Sequence, residues 1–180
     1  MSALARRYAK ALFALAKEAR VLESTAAELD RVATLAEEPT GGSVLRSPLL
    51  SPQQRHALAE TVARELQVSD LQKRFVFLLA DHQRLGELSA IRDEFQHLLD
   101  DDLGRVRVVI RSAVALTPRQ QTDLIATFSR LTDKQVISTV AVDPDLLGGV
   151  LVEVEGKVYD GSVRTQLSRL AKELTGTASL

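Results

Sequence analysis

Apolar residues in the first hundred positions recur at steps of three and four, the spacing of one helix face. The pattern predicts a helix from a Ser2 cap to about Arg20. A second follows on Leu22, Ala26, Leu29, Val32, Ala33 and Ala36, ending before Pro39. Thr40-Gly41-Gly42-Ser43 is a breaker, with a short helical turn expected before Ser47-Pro48. Ser51-Pro52-Gln53-Gln54 combines an N-cap serine, a proline at the first helical position and a glutamine that closes a capping box. The helix it starts carries Leu58, Val62 and Leu66. Ser69 caps the next helix, which contains RFVFLLA. Leu85-Gly86-Glu87-Leu88 opens a last one, with Leu88, Ile91, Phe95 and Leu98, that fades in Asp100-Asp101-Asp102.

The period then changes from helical to alternating. Val106, Val108 and Ile110 fall on one side of a strand within Arg105–Leu116. Thr117-Pro118-Arg119-Gln120 repeats the capping box ahead of a helix bearing Leu124, Ile125, Phe128 and Leu131. Val136–Val142 reads as a second strand, broken by Asp143-Pro144-Asp145. Gly149–Glu155 is a third, with Val150, Val152 and Val154 on one face. A closing helix is expected on Val163, Leu167, Leu170, Ala171 and Leu174. The fold class is therefore α+β: an N-terminal six-helix bundle, residues 1–104, followed by a small mixed α/β domain, residues 105–180.

Composition narrows the function. With 23 Lys and Arg against 24 Asp and Glu, no overall basic field favours nucleic acid or anionic lipid. The absence of cysteine removes disulfides, thiolate chemistry and cysteine metal ligands. The N-terminal stretch is amphipathic and charged throughout, so it reads as neither signal peptide nor membrane span. Glu18 and the strong helical register favour a mature first helix over a presequence.

Candidate chemistry is sparse. The stretch LLGGVLVEVEGKVYDGSVRTQL, Leu146–Leu167, has paired glycines and a Gly-Lys step. A phosphate-binding loop needs four residues between its first glycine and the Gly-Lys, followed by Ser or Thr. Here six separate Gly149 from Gly156, and Val158 follows Lys157. The spacer alternates like a strand, so Gly156 is expected in a hairpin turn, with Asp160 or Ser162 capping the last helix. Arg164 falls in the first turn of that helix, where the dipole disfavours a cation, so a carboxylate partner is expected, within the chain or on another. Glu94, His97 and Asp101 share a helix face and could hold a metal, but a solvated polar face is the favoured expectation. Ser162 has no histidine in its domain to act as base. No catalytic residue, metal site or cofactor is expected.

Two helices carry apolar residues over too wide an arc. On the first, Leu4, Tyr8, Ala11, Leu12, Leu15 and Ala19 fill one face, and Ala5, Ala9, Phe13 and Ala16 the adjoining one, an arc of about 200°. On the second, Leu71, Phe75, Leu78 and Leu79 make one face, while Val76, Phe77 and Ala80 lie outside it. Such helices are either wrapped on all sides or face a core on one side and a partner helix on the other.

Three stretches together resemble a known family. ARRYAKALFALA (Ala5–Ala16), RLGELSAIRDEF (Arg84–Phe95) and LLGGVLVEVEGKVYDGSVRTQLSRL (Leu146–Leu170) resemble the delta subunit of F-type ATP synthases, relatives of the mitochondrial oligomycin-sensitivity-conferring protein. The likeness covers the whole chain; Arg7 stands where the family often has Pro. The resemblance implies a non-catalytic stator subunit that couples rotary proton transport to ATP synthesis. It would clamp the peripheral stalk to the top of the catalytic head, with one copy per complex, at the cytoplasmic face of a bacterial plasma membrane. Implied partners are the alpha subunits, through their N-terminal helices, and the b subunits of the stalk, with no nucleic acid and no direct membrane span. The implied alpha-binding groove lies between the first helix and the RFVFLLA helix, at Leu4, Tyr8, Ala11, Leu15, Arg74 and Leu78. The implied stalk-binding or signature residues are Val150, Val152, Asp160, Gly161, Arg164 and Leu167. The alternative is a helical nucleic-acid-binding adaptor, which would need a basic stripe that the chain lacks.

Overall fold

The computed structural model describes residues 2–38, 50–154 and 156–168. They divide into two compact units, Met1–Leu99 and Asp100–Leu180.

The described part of the first unit holds five α-helices: α1 (Ala3–Glu18), α2 (Leu22–Glu37), α3 (Pro52–Glu65), α4 (Asp70–Asp81) and α5 (Leu88–Asp102), with a 3-10 turn, Leu85–Glu87, leading into α5. The short turn expected before Ser47 lies outside the described residues, so the expected count of six is not confirmed here. Ser2 sits at the N-cap of α1 but makes no side-chain cap bond, and the helix stops at Glu18 because Arg20 turns left-handed at φ 58°. Ser51 caps α3 through a reciprocal box: its hydroxyl accepts from Gln54 N–H and the Gln54 side chain accepts from Ser51 N–H. At α4 the cap is shared across helices. Ser69 Oγ accepts from Gln72 N–H, while Glu28 of α2 accepts from both Ser69 N–H and its hydroxyl. Glu28 thus takes the place a Gln72 side chain would fill in a local box. The Gln72 amide is instead fully buried with no hydrogen-bond partner.

The core of this unit is rich in alanine. Ala5, Ala9 and Ala16 of α1, Ala33 and Ala36 of α2, Ala59 of α3 and Ala80 of α4 are buried beside Leu12, Leu29, Val32, Leu79, Ile91 and Phe95. Small residues let helix backbones approach closely, so few large side chains are needed to fill the space. Arg92 ties α5 to α2, with Nη2 at 2.9 Å from Glu37 and Nη1 at 3.8 Å from Asp30.

The second unit is a four-stranded sheet with a helix packed on it and the start of another described over 163–168. β1 (Arg105–Ser112) is central. It pairs in parallel with β2 (Gln135–Val142) and antiparallel with β3 (Val150–Val154), which pairs antiparallel with β4 (Lys157–Asp160). The parallel pair requires a crossover, supplied by α6 (Pro118–Thr132) behind the expected Thr117/Gln120 capping box. Val106, Val108, Ile110, Val152 and Val154 face Phe128 to form the core. Leu131, expected on that face, is exposed, and Leu124 and Ile125 are half-buried. β4 was not distinguished in the sequence. It is a short edge strand, exposed along its length, entered through Gly156 at φ 75°. Asp100 and Asp101, at the end of α5, belong to this unit. Asp100 is buried and accepts from Arg107 Nε at 2.5 Å, and Lys134 lies 3.2 Å from Asp101.

The Arg92 hydrogen bond, the Ser89 side chain and the Arg92 charge hold Glu37 below its ordinary carboxyl value against a smaller opposing effect of burial. A depressed carboxyl stabilises the fold above its unfolded pKa and loses that contribution as pH falls through the folded value. Glu37→Gln is therefore expected to be less stable than the unsubstituted chain at neutral pH. The gap should begin to close below pH 4.5, the ordinary value. Urea midpoints of both proteins across the acid range check this.

Candidate functional site

The wide apolar arc of α1 is divided by the structure. Ala5, Ala9, Leu12 and Ala16 point into the core, which takes Leu12 off the face it was expected to share with Leu4. Leu4 and Tyr8 remain half-buried, Ala11 is exposed, and Leu15 is 53% exposed. On α4 the buried residues are Gln72, Phe75, Val76, Leu79 and Ala80. Val76 and Ala80 therefore face inward, contrary to the expected division of that helix. Leu78 is 43% exposed, Arg74 is exposed and Leu71 is half-buried. Phe77 packs elsewhere, 5.2 Å from His56 of α3.

The two helices meet at an aromatic contact. The Tyr8 and Phe75 rings meet edge to face at 6.4 Å, which makes α1 and α4 neighbours at that level. All six residues expected in the groove, Leu4, Tyr8, Ala11, Leu15, Arg74 and Leu78, retain solvent access. Of the face expected to hold Leu71, Phe75, Leu78 and Leu79, Phe75 and Leu79 are buried, Leu71 is half-buried and Leu78 is exposed.

The C-terminal signature is largely a lock. Val152 is buried in the sheet core and Val150 is half-buried. Gly161 N–H donates to Val150 O at 2.9 Å, and Val163 N–H donates to Gly148 O at 3.0 Å. Asp160 Oδ1 accepts from Ser162 N–H and Oδ2 from the Thr165 hydroxyl, both at 2.8 Å. Ser162 Oγ accepts from Thr165 N–H, so Asp160 and Ser162 together start the helix described over 163–168. Arg164 and Leu167 are exposed, and among the described residues Arg164 has no ion-pair partner. The part of the closing helix beyond Ser168 lies outside the described residues.

Two of the three conceivable metal ligands pair with cations. Glu94 is buried 3.5 Å from Arg6, and Asp101 pairs with Lys134. Among the described residues no group of three or more His, Cys, Asp or Glu could hold a metal, and no helix is long and apolar enough to cross a membrane.

A family model described as the ATP synthase delta (OSCP) subunit matches residues 4–174. The chain belongs to this family. It is 42% identical over 175 residues to ATP synthase subunit delta of Anaeromyxobacter sp. (strain Fw109-5), covering 97% of this chain and 98% of that one. The corresponding subunit of Chlorobium chlorochromatii (strain CaD3) is 35% identical over 170 residues, covering 94% of each. That of Syntrophus aciditrophicus (strain SB) is 33% identical over 178 residues, covering 98% of each. The fold is similar to a chain in the cryo-EM structure of the Toxoplasma gondii mitochondrial ATP synthase hexamer, with a TM-score of 0.70 at 21% identity over 97% of this chain and 98% of that one. The place in ATP synthase implied by the sequence resemblance stands with this membership, and a stator role is consistent with it.

The two glycines of the signature differ in what they tolerate. Gly156 lies at φ 75° with nothing within 4 Å of an added Cβ, so Gly156→Ala should cost about 1–2 kcal/mol from backbone strain alone. Gly149 lies at φ 82°, and an added Cβ would collide with the Gly161 carbonyl oxygen. Gly149→Ala should therefore be clearly the more destabilising of the two, as read by thermal unfolding of both variants.

Proposed function

We propose that this chain is a non-catalytic clamp in the stator of an F-type ATP synthase, joining the peripheral stalk to the top of the catalytic head. The N-terminal unit receives an N-terminal helix of an alpha subunit in the α1/α4 cleft, through Leu4, Tyr8, Ala11, Leu15, Arg74 and Leu78. The C-terminal unit holds the b subunits through the surface around the signature, with Asp160, Gly161, Arg164 and Leu167 as its exposed members. Val150 and Val152, half-buried and buried, support that surface from within. One copy serves each complex, at the cytoplasmic face of the membrane, without a cofactor.

The observation that carries this reading is the outward apolar side of α1 and α4. Both helices already fill a core with their other sides, yet Leu15 and Leu78 stay about half exposed. An amphipathic helix laid in the cleft would cover them, and such recognition needs no reacting group. Gripping head and stalk with two units of one chain makes the second binding intramolecular, so its effective concentration is high. A clamp under torque needs slow dissociation at both ends.

Calorimetric titration of the full chain with a peptide matching the alpha subunit's N-terminal helix tests the assignment. Binding at one to one is expected, with the peptide becoming helical. Leu78→Asp should weaken it by roughly tenfold or more, the cost of placing a charge in an apolar contact. No binding by the folded chain would refute the cleft assignment.

A further inference from the structure

Two exposed arginines lie on the outward sides of α1 and α4, the helices of the proposed cleft. Arg7 is exposed, its Cζ 5.6 Å from the centroid of the Tyr8 ring. Tyr8 meets Phe75 across the cleft. Arg74 directly precedes Phe75 and shares its outward side with Leu71 and Leu78, roughly one helical turn away in either direction. Among the described residues neither Arg7 nor Arg74 has an ion-pair partner. Several other arginines of the unit are engaged: Arg6 with Glu94, Arg92 with Glu37, and Arg31 donating to the Leu66 carbonyl at 3.1 Å. The aromatic contact puts Arg7 and Arg74, each adjacent in sequence to one of its rings, at about one level, Arg7 beside the Tyr8 ring and Arg74 on the exposed side of α4.

We propose that Arg7 and Arg74 select for carboxylate on the helix that enters the cleft. That helix carries an Asp or Glu at the edge of its apolar stripe, at the level of Tyr8 and Phe75. The inference rests on the cleft being a helix-binding site and adds the charge of its occupant. Planar guanidinium forks pair with carboxylates through two parallel hydrogen bonds, a geometry lysine lacks. In the free chain both groups are solvated and screened. A seated helix would displace water from the mouth and strengthen the attraction there. Rim charges of this kind set register and association rate more than total affinity, while apolar contacts below them supply most of the binding. Two cations at one level would thus fix how far along the cleft the incoming helix stops.

The test titrates the full chain, and the variants Arg7→Gln, Arg74→Gln and Leu78→Asp, with a synthetic peptide of the alpha subunit's N-terminal helix. A second peptide has its Asp and Glu residues replaced by Asn and Gln. Each arginine variant should bind the native peptide roughly two- to fivefold more weakly at low salt, with the difference shrinking at high salt. The uncharged peptide should bind more weakly to the unsubstituted chain, and the arginine substitutions should cost it nothing further. If Leu78→Asp abolishes binding while both arginine variants bind both peptides like the unsubstituted chain, the cleft stands and the charge selection is overturned. If the unsubstituted chain binds neither peptide, or Leu78→Asp binds as well as it does, the cleft assignment itself has failed. Self-association of the chain that Leu78→Asp relieves would name a second copy as occupant and overturn the proposal.

Discussion

The close packing of alanines on the inner side of α1 governs the rest of the N-terminal unit. Ala5, Ala9 and Ala16 bring that helix against its neighbours with little side-chain volume, and Leu12 is its one large fully buried residue. Phe13 packs edge to face on Phe95 of α5, and Leu4, Tyr8 and Leu15 are left to the outer side of α1, as Leu71 and Leu78 are on α4. Burying a leucine completely stabilises by about 1.5–3 kcal/mol, so covering the exposed half of Leu15 or Leu78 is worth about 1 kcal/mol each. The proposed cleft, with several such groups, would hold a helix without any single dominant contact. In that proposal a larger side chain at Ala11 would narrow the cleft, whereas one at the fully buried Ala9 would separate α1 from its core.

The C-terminal unit obeys a different constraint. Its sheet buries one face against α6, and its signature segments are bound to each other through Gly161 to Val150, Val163 to Gly148 and the Asp160–Ser162–Thr165 cap. Residues that looked like a binding motif are therefore mostly occupied in holding the chain's path from β4 into its last helix. Arg164 and Leu167 are exposed beside them, as are Val158, Tyr159 and Val163. A coupling that transmits torque gains from such bonding, because a stiff support keeps the contact residues in register under load.

Local signals were legible in the sequence and cooperative ones were not. The capping boxes at Ser51 and Thr117 were read correctly because each is complete within four residues. The hairpin glycine at 156 was read because a tight turn needs positive φ whatever surrounds it. The strand after it escaped notice because Lys157–Asp160 is short, exposed and without a clear apolar alternation. The wheel exposed the excess of apolar surface on α1 and α4 but could not sort inside from outside, since apolar residues lay on both sides. Val76 and Ala80 turned inward and Leu78 outward for reasons that lie in neighbouring helices. The pairing of Glu28 with Ser69 was likewise invisible, because it joins positions 41 residues apart.

The most direct test of the clamp is made in the assembled synthase, in membrane vesicles carrying this chain with Leu15→Asp and Leu78→Asp together. ATP hydrolysis and ATP-driven proton pumping would be measured side by side. If the cleft holds the catalytic head, hydrolysis persists while pumping is lost, because the head is no longer restrained against the rotor. Pumping at the unsubstituted level would contradict the account.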